Sequence, residues 1–250
     1  MVVVTMTPAN SLAQTRHGQS KPRFLASEAV AAFNPTITYA TAAQLAACIG
    51  GPGVTVSNAT ITGNARAFAL FTDPVATLGF SSGIILSSGD AKSIAGPNTS
   101  DAISGLNNAP GDASLGALVV GSSHDAAVLQ FDFTCTNGSF GIDYVFASEE
   151  YSEYVGSPYN DTFAFFLDGT AAGNNIARVP ATCTTPGGAI SVNTVSCGFA
   201  TSRGAPTGQG TNCGCFRNND IAGPSAPLGE MDGMSAVFHS TANVDQARTT

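Results

Sequence analysis

The stretch FGIDYVFASEEYSEYVGSPYNDTFAFFL, Phe140–Leu167, decides the fold. Two runs within it, Tyr144–Ala147 and Thr162–Leu167, are aromatic and apolar. Such residues suit a pleated, half-buried surface, so both runs read as strands. Between them lies a loop with the turn residues Gly156, Pro158 and Asn160 and the carboxylates Glu149, Glu150, Glu153 and Asp161. No Lys or Arg occurs between Lys92 and Arg178. Carboxylates without a basic partner stay solvated, take up protons or hold a cation. The expected cation is calcium, which takes several oxygens from carboxylates, amides and carbonyls. Glu149 or Glu150, Glu153, Asn160 and Asp161 supply them in one hairpin, with Asp90, Asn98 and Asp101 from an earlier loop as additions. The competing reading is a solvated acidic loop.

The rest of the chain repeats the β texture. Val54–Thr62 alternates apolar and polar residues, as does Ala127–Phe133. Ala67–Phe71, Gly83–Ser88, Asn175–Val179, Ala189–Val195 and Ser235–Ser240 are further strand candidates. Two short helices are expected, Ala29–Phe33 and Ala40–Cys48, the second with Thr41 as N-cap and Gly50 and Gly51 as its stop. Many short strands with Gly, Pro and Asn punctuation predict an all-β, sandwich or jelly-roll domain over residues 29–250. Residues 1–28 read as an extended arm, polar except for the β-prone opening MVVVTMT. That opening lacks the basic start and longer apolar core of a signal peptide. No run approaches transmembrane length.

Charge narrows the function. Only 10% of the 250 residues are charged, against roughly a quarter in ordinary domains. A net charge of −8 excludes a nucleic-acid surface, which needs a basic face. The arm holds Arg16, Lys21 and Arg23 against Glu28 alone, leaving six basic and sixteen acidic groups, a net of −10, in the body. Four of the six cysteines, Cys183, Cys197, Cys213 and Cys215, crowd one turn-rich stretch. Without a second close Cys or His pair at zinc spacing they read as disulfides, with Cys213 or Cys215 bridging to Cys183 or Cys197. Sequons stand at Asn58, Asn98, Asn137 and Asn160, with Asn137 in an expected hairpin turn.

No catalytic constellation emerges. Successive strand residues point to opposite faces, so Glu149 and Glu150 cannot both serve one glycosidic bond. The chain has no Trp for a sugar cleft, although Tyr151, Tyr154 and Tyr159 are available. His124 with Ser122, Ser123 and Asp125 is a run of neighbours and not a triad. Gly208-Gln209-Gly210 lacks the Lys-Ser/Thr of a phosphate loop.

The order of motifs is informative in its own right. GFSSGIILSSGDAKSIAGPNTS, GDASLGAL, DAAVLQFDF, YVFASEEYSEYVGSPYNDTFAFFLDG, NIARVP and ISVNTV follow one another from Gly79. Together they resemble the choice-of-anchor L family of bacterial extracellular domains, over about Ala40 to Phe238. The resemblance implies export, a β-rich fold and no established reaction. The family pattern continues past its MDGMSAVF-like segment, so an open sheet edge is expected near the C-terminal end. No anchor signal is expected in the stretch after Ser240.

These features lead to a secreted, non-catalytic structural protein of the cell surface or matrix. The basic arm (Arg16, Lys21, Arg23), opening with Val2, Val3 and Val4, is expected to lend a strand to an open edge of another subunit. Such head-to-tail contacts give a homo-oligomeric filament. The competing reading folds the arm back on its own body. The alternative function is a calcium-dependent adhesin for surface glycans.

Overall fold

A computed structural model describes residues 2–8, 33–100, 103, 105–119, 122–136, 138–198, 208, 210–220, 229–243 and 248–249. For 2–8 and 248–249 the description is of strand pairing. In chain order the strands are β1 (Val2–Pro8), β2 (Thr36–Tyr39), β3 (Val54–Thr62), β4 (Phe68–Thr72), β5 (Ser82–Leu86), β6 (Val128–Cys135), β7 (Ser139–Ser148), β8 (Thr162–Phe163), β9 (Ile190–Ser191), β10 (Phe216–Asn218), β11 (Gly233–Ser235), β12 (Phe238–Asn243) and β13 (Arg248–Thr249). Helices α1 (Ala42–Ile49) and α2 (Ala113–Gly116) are short. The chain is all-β, as its texture implies.

The layers follow from β7. Its even residues Phe140, Ile142, Tyr144 and Phe146 belong to the main core, while Val145 and Ala147 belong to a second one. A strand buried on both faces needs a continuous apolar run, which the sequence supplies. β7 lies within an antiparallel sheet of order β10-β11-β7-β1-β5-β4-β2, and β12 also pairs with it. Two smaller sheets, β13-β6-β3 and β8-β9, contribute Val54, Phe131, Phe133, Phe163 and Ile190 to the main core. Phe133 and Phe140 meet edge to face across these layers, ring centroids 4.7 Å apart. The second core, on the other face, gathers Phe33, Phe71, Leu78, Ile85, Met231 and Met234.

Local chemistry explains the elements that hold as expected. Thr41 caps α1 in a reciprocal box: its hydroxyl accepts from the Gln44 N–H, and Gln44 Oε1 accepts from the Thr41 N–H at 2.9 Å. The helix buries Leu45 and Ile49. β3 alternates along β6 until a bulge between Ser57 and Thr60, where Asn58 takes φ 51.

Other expectations change. Asn175–Val179 is not a strand: Asn175 and Arg178 make single bridges, to Phe166 and Ala189. Ala189–Val195 contracts to two paired residues before a turn at Ser191, whose carbonyl accepts from the Val195 N–H. Ser235–Ser240 breaks into β11 and β12, which take successive stretches of β7. The acidic loop is no hairpin, because β8 pairs with β9 and not with β7. Nor do β6 and β7 form one: they lie in different sheets, so the sequon around Asn137 marks a crossing between layers. Asn137 itself and the expected helix up to Ala32 lie outside the described residues.

The opening run does form a strand, but its place is central. β1 pairs along its whole length with β7, Val2↔Phe146 to Pro8↔Phe140, and on its other side with β5, Val2↔Leu86 to Val4↔Ile84. Arg16, Lys21 and Arg23 lie outside the described residues.

Candidate functional site

β7 ends at Ser148, paired with Gly233 of β11. The next step along the two strands brings Glu149 towards Asp232. Glu149 Oε2 accepts from the Ile103 N–H at 3.3 Å, whereas Oε1 is buried without a hydrogen-bond partner. Desolvation, then the charges of Asp232, Glu230 and Glu150, push Glu149 up to about 9, with the Ile103 N–H pulling the other way. Asp232 is fully buried and accepts from Asn98 Nδ2 at 2.8 Å. Glu230, also buried, accepts from the Thr99 N–H and hydroxyl, the latter at 2.9 Å. Asn219 ties the strand ends together, donating from Nδ2 to the carbonyls of Gly229 and Met231. Asp220, next to it, is buried as well.

The sequence groups the acidic side chains differently. Glu150 stands with Asp161, desolvation first and Asp161 second raising its pKa. Ser148 connects the two: its hydroxyl accepts from the Glu150 N–H and donates to Asp161 Oδ2 at 2.8 Å. Asn160 Oδ1 accepts from the Asn193 N–H, and Glu153 is exposed. Asp90 is committed elsewhere, and this corrects its grouping with the loop. It accepts from the Tyr39 hydroxyl, the Lys92 N–H and Arg66. Burial alone would raise Asp90, but these donors hold it below the usual carboxylate range. Among the described residues no three His, Cys, Asp or Glu side chains form a ready-made metal site. Glu230, Asp232, Asn98, Thr99 and Asn219 were not singled out as one site by sequence reasoning. Their signal is the run Glu230-Met231-Asp232-Gly233-Met234, in which acids alternate with apolar residues as on a buried strand end.

Burial also corrects one sequon. Asn98 is 5% exposed, and the Nδ2 that a glycan would occupy donates to Asp232 and to the Asn219 carbonyl. Asn58 is exposed, its Nδ2 donating to Asp132 at 2.7 Å. The cysteine expectation holds with more detail: Cys183 bonds Cys215 and Cys197 bonds Cys213, one loop nested in the other. Cys48 and Cys135 are free thiols.

A second feature lies beside Glu150. A cavity of about 450 Å³ is lined by residues 126–131 and 160–166 together with Ile84, Leu86 and Ile142. Ser122 and His124 line it and meet at 3.2 Å. Asp125 does not complete a triad there, because its Oδ1 accepts from the Ala109 N–H. Tyr154 and Tyr159, both exposed, pack edge to face at 5.2 Å on the acidic loop. Among the described residues no helix is long and apolar enough to cross a membrane.

The family model of the choice-of-anchor L domain matches residues 33–249. No curated protein and no solved structure matches. The chain belongs to the choice-of-anchor L domain family, whose members are surface-associated or secreted proteins.

Proposed function

We propose that this protein is a non-catalytic structural component of the cell surface or matrix that assembles head to tail by exchanging β1 between subunits. One observation carries the reading. β1 fills a central place in the main sheet, yet it lies outside the matched residues 33–249. Without it β5 and β7 have no partner on their facing edges. Ile85, Tyr144 and Phe146, which border that slot, are almost wholly buried. A slot one strand wide in a sheet is the form that strand addition takes elsewhere. The 24 residues between β1 and Phe33 have an extended reach of roughly 80 Å, enough for a neighbour's slot as for their own. Three of them are Arg16, Lys21 and Arg23, opposite in charge to a body of net −10. Such a contact does not close on itself and propagates as a filament. Electron microscopy of the chain without Met1–Glu28 is expected to show no filaments. Excess synthetic peptide Met1–Pro8 added to the full chain is expected to shorten them. Filaments of unchanged length in both experiments would refute the reading.

A calcium-dependent adhesin is the second reading, favoured by the exposed Tyr154–Tyr159 pair. Tyr159 lines the same cavity as Glu150, Asn160 and Asp161, so the rings offer a sugar face beside carboxylates and an amide through which calcium would bind. Binding on a glycan array that disappears with chelator supports it; binding that ignores chelator, or none, removes it.

A further inference from the structure

We propose that the cavity lined by β6, β8 and Glu150 binds a small organic cation, an apolar or aromatic body carrying one ammonium group, with Glu150 and Asp161 as its counter-charges. The proposal does not depend on the filament reading. At about 450 Å³ the cavity falls within the range of small-ligand sites, roughly 300–1,000 Å³. Its lining includes the buried Ile84, Phe131, Ile142 and Phe163, and also the exposed Ser122, His124 and Tyr159. A water-excluding part and a part in contact with solvent therefore belong to one cavity. An apolar body gains from burial against the first, while its polar end stays near the second.

Charge selects the sign of that polar end. Glu150, Asp161, Asp112 and Asp125 all line the cavity, and among the described residues no Lys or Arg does. Three of these carboxylates already have donors: Asp161 accepts from the Ser148 hydroxyl, Asp112 from the Ser114 N–H and Asp125 from the Ala109 N–H. Glu150 differs. Its backbone N–H goes to the Ser148 hydroxyl, but among the described residues no donor reaches its carboxylate. That carboxylate is partly desolvated and lies in the field of Asp161, and both disfavour its charge. An ammonium group offsets both effects and supplies the donors that Glu150 lacks. A carboxylate or phosphate ligand would add to the repulsion, and a bare metal ion would leave the apolar lining without a partner.

Isothermal titration of the full chain tests this with three probes of similar shape: phenethylammonium, phenethyl alcohol and phenylacetate. Chelator is present throughout, so calcium plays no part in the readout and failure here leaves both readings of function where they stand. The ammonium is expected to bind saturably, the alcohol about tenfold more weakly and phenylacetate not at all. Glu150→Gln keeps the shape and removes the charge. It should bring the ammonium down to the affinity of the alcohol and leave the alcohol unchanged. Leu129→Trp, which fills the cavity from β6, should abolish binding of both while keeping a cooperative melting transition; if that variant does not fold, Glu150→Gln decides. Three outcomes overturn the proposal: equal binding of all three probes, ammonium binding that Glu150→Gln leaves intact, or no ammonium binding to the native chain.

Discussion

Replacing Glu149 by Gln should stabilise the protein at neutral pH in the absence of divalent cations. The folded chain holds Glu149 up to about 9, against an ordinary value of 4.5. The folded state therefore keeps a proton that the unfolded state releases. Stability falls as pH rises from about 4.5 and levels off above about 9. From 4.5 to pH 7 the full cost is about 3.5 kcal/mol at 1.4 kcal/mol per pH unit. Glu149 is only partly buried, so solvent screening reduces this to about 1.5 kcal/mol. The replacement amide is neutral at every pH and keeps an oxygen for the Ile103 N–H. In a chain of this size the gain corresponds to a melting temperature about 3–6 °C higher at pH 7. Thermal unfolding of both proteins in chelator, at pH 5 and pH 7.5, is the assay. The two should nearly coincide at pH 5 and separate at pH 7.5. A constant difference at both pH values would refute the assignment of the raised pKa to Glu149.

Calcium should reverse that order, raising the melting temperature of the native chain and leaving the Glu149→Gln variant unmoved; no shift in the native chain sinks the cation reading. Gly233→Ala would set a Cβ 2.6 Å from the rings of Tyr151 and Phe216, both buried, so the urea midpoint should drop by the equivalent of about 1–3 kcal/mol. An unchanged midpoint would mean that the rings yield freely. Tyr151→Phe removes the buried hydrogen bond from its hydroxyl to the Val195 carbonyl and should cost about 1–2 kcal/mol in the same assay. Non-reducing mass spectrometry should find Cys48 and Cys135 as the free thiols, and opening either bridge should cost roughly 2–5 kcal/mol.

What was legible in the sequence was local. Thr41 and Gln44 announce α1 three residues apart, and Val54–Thr62 declares its one-sided burial by alternation. Aromatic β7 is visible because both its faces are buried. The shortness of β8 and β9 was hidden, because Phe165, Ile176 and Val179 are apolar for packing in the main core, while their backbones make only isolated bridges and hydrogen bonds. The acidic cluster was only half visible. Glu149 is conspicuous, but Asp232 and Glu230 reach it through a strand pairing more than eighty residues away. The central place of β1 was invisible for the same reason: VVVTMT states a preference for extension and says nothing about its partners.

The position of β1 also sets a clock. Its partners on β5 and β7 are made about 80 and 140 residues after it. At synthesis rates of roughly 5–20 residues per second, the first strand waits on the order of ten seconds for a complete slot. During that interval any finished neighbour with an open slot is a competitor for it. If subunits exchange β1 as proposed, the fraction of chains that close on themselves is a matter of local concentration and delivery rate, with crowding at the site of emergence favouring assemblies and dilution favouring closed single chains.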